Sequence, residues 1–256
     1  MRLGDGRNGL HIGGGGGRGI VSDMRPIITS TCLTLFVAVL AACAPTASES
    51  PRLEVTQLAE AISFYPMETG ARWEYVRDGS TLDGLRYVEV IEGPTVIDGE
   101  VWIASHLVGG GQDVMTYRQS RPDGVFVKRQ TRPGAVISFD PPMREYPAQG
   151  ELRVGLTWRG ETTARGRFPS AAPDLRSQSW AVEYVYTVVD RRQVIVNGRM
   201  FDVFVIDRVV RQYDEDGGVA EELSRTSWFS PHAGVVRHEN GWFLVDTNFG
   251  AGRAQE

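Results

Sequence analysis

The chain has 256 residues, with 27 Lys plus Arg against 32 Asp plus Glu, 41% hydrophobic residues and two cysteines. Its formal net charge of −5 speaks against a nucleic-acid partner. Without residues 1–42, which hold Arg2, Arg7, Arg18, Arg25, Asp5 and Asp23, 23 basic and 30 acidic residues remain, a net charge of −7. That balance also speaks against a polybasic patch reinforcing contact with anionic lipid.

Residues 1–23 form a charged leader with the run Gly13 to Gly17, atypical of a signal peptide, and Met24 is the better start. Gly14, Gly16 and Gly19 match a dinucleotide-binding spacing, but no strand precedes them and no helix follows, so the segment reads as low complexity. From Met24 to Ala42 the order is a positive Arg25, an apolar run ending Leu33 to Leu40, and small residues before Cys43. The run is shorter than the roughly 20 residues a spanning helix needs and fits a removable signal.

Leu40-Ala41-Ala42-Cys43 resembles the lipobox of bacterial lipoproteins. That resemblance implies a diacylglycerol on the Cys43 thiol, cleavage before it, and an acylated, palmitate-type amino terminus. Two or three acyl chains would make anchoring effectively permanent. Ala44 is consistent with sorting to the periplasmic leaflet of the outer membrane in a Gram-negative cell; in a single-membrane cell the domain would sit on the outer face of the plasma membrane. Cys32 lies in the signal, so the mature domain has no free thiol for disulfides, catalysis or metal binding.

Residues 43–51 read as a flexible tether. Ser50-Pro51 looks like a helix start, followed by the apolar stripe Leu53, Leu58, Ala61 and Ile62. From Ala71 onward short β runs replace helical periodicity. They are Arg72 to Arg77, Leu85 to Ile91, Val101 to Val108, Val114 to Arg118, Val125 to Arg129, Ala135 to Phe139, Trp180 to Val189, Val194 to Val196, Met200 to Val210, Leu223 to Phe229, Val235 to His238 and Trp242 to Asp246. Asp98-Gly99 and Asn197-Gly198 predict type I′ hairpin turns. Residues 160–179, rich in Arg, Ser, Pro and Ala, read as a long mobile loop, and 250–256 as a disordered tail.

An internal repeat links the halves. Tyr65-Pro66 with Gly70-x-x-Trp73 recurs as Tyr146-Pro147 with Gly155-x-x-Trp158, and the hairpin turns and Gly124-Val125 and Gly234-Val235 follow in the same order. The expected fold is therefore all-β: residues 52–249 form one antiparallel two-sheet sandwich or incomplete barrel with one short N-terminal helix. Two duplicated halves, about 63–140 and 141–249, bury the six tryptophans between them. The Tyr65 to Tyr75 motif (Tyr-Pro-x-x-x-Gly-x-x-Trp-x-Tyr), with Trp228-Phe229-Ser230-Pro231, resembles a broad group of secreted bacterial β-rich proteins with no established chemistry. In outline the arrangement is also similar to lipoprotein carriers and receptors of the Gram-negative envelope.

Catalytic motifs are absent: there is no G-x-S-x-G, H-E-x-x-H or P-loop. His232, His238 and Glu239 could ligate a metal or act as acid and base, but read better as a solvent-facing hairpin; His106 reads as half-buried and hydrogen-bonded. Asp214 to Gly218 departs from the calcium-loop order and reads as a hairpin loop. No catalytic, cofactor or metal residue is assigned, and the expectation leans away from an enzyme. The expected function is a lipid-anchored, non-catalytic envelope protein holding an apolar ligand in a β half-barrel. The alternative is a structural or assembly lipoprotein that contacts another envelope protein through a β edge or loop.

Overall fold

The computed structural model describes residues 64–81, 84–250 and the strand residues 253–254. The signal, Cys43, the tether and the expected helix lie outside the described residues. Thirteen strands follow in order: β1 (Arg72–Arg77), β2 (Arg86–Ile97), β3 (Glu100–Gly109), β4 (Gln112–Arg121), β5 (Gly124–Arg132), β6 (Ala135–Pro147), β7 (Thr157–Arg167), β8 (Ser177–Val196), β9 (Arg199–Tyr213), β10 (Val219–Ser230), β11 (Gly234–Arg237), β12 (Trp242–Thr247) and β13 (Arg253–Ala254). Every pairing is antiparallel, and each strand from β1 to β12 bonds its neighbours in sequence. Because β12 also pairs with β1, the twelve strands close into a barrel; this corrects the sandwich or incomplete barrel expected from sequence. The short β13 adds to the end of β9, so part of the expected tail is a strand.

Turn chemistry sets the register. Asp98 and Gly99 have φ of 53° and 84°, and Asn197 and Gly198 have 53° and 73°, the positive pairs that a two-residue hairpin requires. The halves also share local geometry. Gly70 and Gly155 both sit at φ 85°, and each donates its N–H at 2.8 Å, to Ile91 O and Val188 O respectively. Just beyond, β2 slips register between Ile91 and Gly93, and β8 between Val188 and Asp190. Trp73 and Trp158 each donate their indole N–H to a backbone carbonyl, of Ala233 and Arg144.

Two aromatic clusters fill the interior. One gathers Trp73, Tyr75, Tyr87, Ile91, Trp242, Leu244 and Phe249; the other gathers Phe64, Tyr65, Tyr146, Trp158, Tyr184, Tyr186, Phe204 and Phe229. Tyr146 stacks on Phe229 at 4.2 Å and Tyr65 lies 5.4 Å from Tyr146, so residues 64 and 65 at the start of the described chain pack into the second cluster. Trp73, Trp102, Trp158 and Trp242 are buried, whereas Trp180 and Trp228 are half-buried, so the six tryptophans do not form one core.

The segment expected as a long loop is mostly strand. Beyond Trp158, β7 carries few large apolar residues, and at two of its inward positions a side chain would clash. A Cβ on Gly160 would stand 2.3 Å from the Tyr184 hydroxyl, and one on Gly166 would stand 2.6 Å from the Phe168 ring. The true connection is 168–176, with one turn of 3₁₀ helix at Pro173–Leu175. The two runs expected at Trp180 to Val189 and Val194 to Val196 are one strand with a bulge.

Candidate functional site

Two local departures from ladder geometry shape the interior. β6 pairs with β7 only as far as Asp140↔Thr163, since Pro141 and Pro142 supply no ladder donors. Side chains bridge the gap that follows: Arg144 N–H donates to Tyr184 Oη at 3.0 Å, Trp158 Nε1–H to Arg144 O at 3.2 Å, and Thr162 Oγ1–H to Pro141 O at 2.6 Å. On the other side of the barrel, β11 meets β10 only at Trp228, Phe229 and Ser230, and meets β12 only at Arg237↔Phe243. Residues 219–227 of β10 therefore have no strand on their second side among the described residues.

The inward faces of β5 to β10 surround a cavity of about 210 Å³. Its walls include Val127, Ile137, Phe139, Met143, Trp180, Val182, Val210 and Leu223, with Glu145, Tyr186 and Arg208 as convergent polar groups. Ile137, Trp180 and Gln212 also line a separate open cleft of about 800 Å³, bounded by Phe168, Asp174 and Glu215 from the β7–β8 and β9–β10 connections. The outward positions of the same strands are polar: Glu183 takes hydrogen bonds from Arg211 and Tyr213, and Arg165 pairs with Asp140. The cavity side of this wall is thus mixed, apolar residues with Arg132, Glu145 and Arg208 among them, while the outer side is polar.

Beneath the cavity lies a buried charged network. Arg118 donates from Nε and Nη2 to Glu145 at 2.7 and 3.3 Å, and from Nη1 to Ser105 Oγ at 2.7 Å and Glu89 at 3.4 Å, while Tyr65 lies 5.2 Å from its guanidinium carbon. Burial disfavours the charge, but Glu145, Tyr65 and Glu89 outweigh it and hold the Arg118 pKa above its ordinary value. Nearer the cavity, Arg208 Nη2 donates to Glu239 Oε2 at 2.6 Å across 31 residues of sequence. Burial raises the Glu239 pKa despite Arg208, and pushes Tyr186 up to about 12 despite the same arginine, so Tyr186 is a neutral phenol. Arg208 Nε is buried without a hydrogen-bond partner.

The candidates singled out from sequence separate. His106 bonds Asp113 at 2.8 Å on a half-exposed strand, matching the expectation. His232 sits in the β10–β11 turn at φ 64°. His238 does not face solvent: its ring packs 4.6 Å from Tyr75 and 5.8 Å from Trp242, its Nε2 is buried without a partner, and burial lowers its pKa. Glu239, in the β11–β12 turn, likewise does not simply face solvent but pairs with Arg208. Asp214 to Gly218 form the β9–β10 hairpin loop, Asp214 Oδ1 accepting from Asp216 and Gly218 N–H. Among the described residues no group of three or more His, Cys, Asp or Glu is placed to hold a metal. No helix among them is long and apolar enough to cross a membrane.

No protein-family model and no curated protein matches the chain. Two solved structures are similar to it. One is a Bacteroides fragilis protein described as exported and as having a YmcC-like fold, with TM-score 0.41 and 11% identity over 73% of this chain and 99% of that one. The other is a Parabacteroides distasonis protein described as a lipoprotein, with TM-score 0.35 and 10% identity over the same shares of the two chains. Likeness at this level carries no argument about what the chain does.

Proposed function

We propose that this chain is a lipid-anchored envelope protein, acylated at Cys43, that binds an apolar ligand without chemically transforming it. The observation that carries the binding reading is the cavity walled by β5 to β10, whose aliphatic and aromatic residues are joined by Gln130, Arg132, Glu145, Tyr186, Arg208 and Gln212. Its volume lies below the roughly 300–1,000 Å³ of drug-sized sites, which favours a small or slender ligand. The anchor rests on Leu40-Ala41-Ala42-Cys43. Native mass spectrometry of the full chain released from detergent micelles tests both parts. The protein mass should include a diacylglycerol on an amino-terminal Cys43, and one apolar molecule should be retained, less of it when Leu223→Trp fills the cavity. Absence of any retained molecule, together with no uptake of added octyl compounds, would remove the binding reading.

A second reading, an assembly role through a β edge, is favoured by residues 219–227 of β10, which have no second strand neighbour among the described residues. A photo-crosslinker at Ser224 should then trap one dominant envelope protein in cells; a ladder of abundant bystanders speaks against it.

A further inference from the structure

The open edge of β10 is complementary to itself. Resting on the β-edge reading above, we propose that its partner is a second copy of this chain, paired antiparallel about a two-fold axis at Leu223. The stretch 219–227, with no second strand neighbour among the described residues, carries exposed Glu221, Glu222, Ser224 and Arg225 around a half-buried Leu223. A strand with one ladder unfilled presents a row of backbone donors and acceptors to any chain that can approach it. β9 occupies the other side, with Leu223 opposite Val210 and Arg225 opposite Arg208. The register slips between Val219 and Glu221, so the regular edge runs from Glu221 to Ser227.

Symmetry leaves few registers. Directly opposed residues of an antiparallel pair share a face, so a two-fold axis normal to the sheet must bring one residue opposite its own copy. Centring on Glu221, Glu222 or Arg225 sets like charges against each other, which disfavours pairing. Centring on Ser224 opposes Arg225 to Leu223 and Glu222 to Thr226, so no charge is answered. Centring on Thr226 would require Trp228, which already pairs with Arg237 of β11. Centring on Leu223 opposes Glu221 of each copy to Arg225 of the other and sets Leu223 against itself, with Glu222 facing Ser224 on the opposite side of the sheet. Charged edges ordinarily deter pairing, but here their order rewards one partner. The paired run from Glu221 to Arg225 is of ordinary strand length. Arg225 has no salt bridge or hydrogen bond among the described residues and feels Glu239 only at longer range, while Glu221 takes a single hydrogen bond there, from Gln212 at 3.1 Å.

Residues 44–256 hold no cysteine, so an introduced thiol reports this pairing, with wild type as the blank. Across the axis residue 223 would stand about 5 Å from its copy, Cα to Cα, within disulfide reach, whereas residue 224 would stand about 8 Å from its copy, beyond it. Mild oxidation of the full chain in phospholipid vesicles should therefore link most of Leu223→Cys into dimers on non-reducing gels and little of Ser224→Cys. In the Leu223→Cys background, Glu221→Arg should slow linkage about tenfold, since two attractive pairs become repulsive. Adding Arg225→Glu should restore the rate, because the exchanged charges face each other again; circular dichroism checks that each variant folds. Equal linkage of the two cysteine variants, or no rescue by the double exchange, overturns the proposal. Should Leu223→Cys stay monomeric, self-pairing is overturned, and a photo-crosslinker at Ser224 in cells separates the causes. Capture of a different envelope protein leaves the edge reading standing with another partner. Capture of nothing, or only of this chain's own residues before Phe64, defeats both.

Discussion

Removing Arg118 isolates the energetic role of the charged network. Its side chain is 11% exposed and that of its partner Glu89 9%, and four of its donor contacts go to Glu145, Glu89 and Ser105. Arg118→Met keeps an unbranched chain of similar reach but leaves two carboxylates in the interior without their cation. Breaking a buried pair on one side costs about 3–5 kcal/mol, far more than the intact pair contributes over an apolar substitute. With a urea m-value of about 2 kcal/mol per molar, the midpoint should fall by about 1.5–2.5 M. The assay is equilibrium urea unfolding followed by tryptophan fluorescence at pH 7, comparing wild type, Arg118→Met, and Arg118→Met combined with Glu89→Gln and Glu145→Gln. The combined variant should regain most of the loss, because the stranded charges are gone. A single variant within about 1 kcal/mol of wild type, or a combined variant no better than the single one, refutes the assignment of the cost to unpaired charge.

Gly160→Ala should destabilise by at least about 2 kcal/mol, since the new Cβ would lie 2.3 Å from Tyr184 Oη and force that hydroxyl off Arg144 N–H; thermal melting checks it, and an unchanged midpoint contradicts the bridged β6–β7 geometry. Burial depresses the folded pKa of His238 below the unfolded value of about 6.5, so its contribution is present above that value and is lost as pH falls through the folded pKa. Urea unfolding at pH 7 and pH 5 should therefore show a loss in wild type, up to about 1.4 kcal/mol per pH unit, that His238→Phe reduces. Equal losses in both proteins count against a buried neutral imidazole.

Strands with β-branched and aromatic alternation were legible in the sequence, as were the two hairpin turns, because Asp98-Gly99 and Asn197-Gly198 dictate their own backbone angles. β7 was not legible: its inward Gly160 leaves room for Tyr184, and Gly166 for Phe168 and Trp180, so much of the apolar mass that should mark the strand lies outside it. The second half of β6 lies beyond the run Ala135 to Phe139 and was hidden by Pro141 and Pro142, which lack ladder donors and sit where the pairing with β7 ends. Closure itself has no local signature, since pairing of β12 with β1 joins residues about 170 positions apart. The cavity was invisible for the same reason, being assembled from residues of six strands spread from Val127 to Leu223. Arg208 gave no signal within its own strand; only the fold brings Glu239 to it.

The closed circuit is unequally sewn. β8 and β9 are joined along fifteen residue pairs, whereas β11 is held by three to β10 and one to β12. A ring fails first where its seam is shortest, so the least costly large motion of this barrel is a hinge-like parting beside β11, with the Arg208–Glu239 ion pair as its latch. Such a parting would widen the lumen sideways while leaving the long β5 to β9 wall intact. The volume available to a guest is then set by the strength of that short seam, and the resting dimension of the cavity is a lower bound on what the barrel can hold.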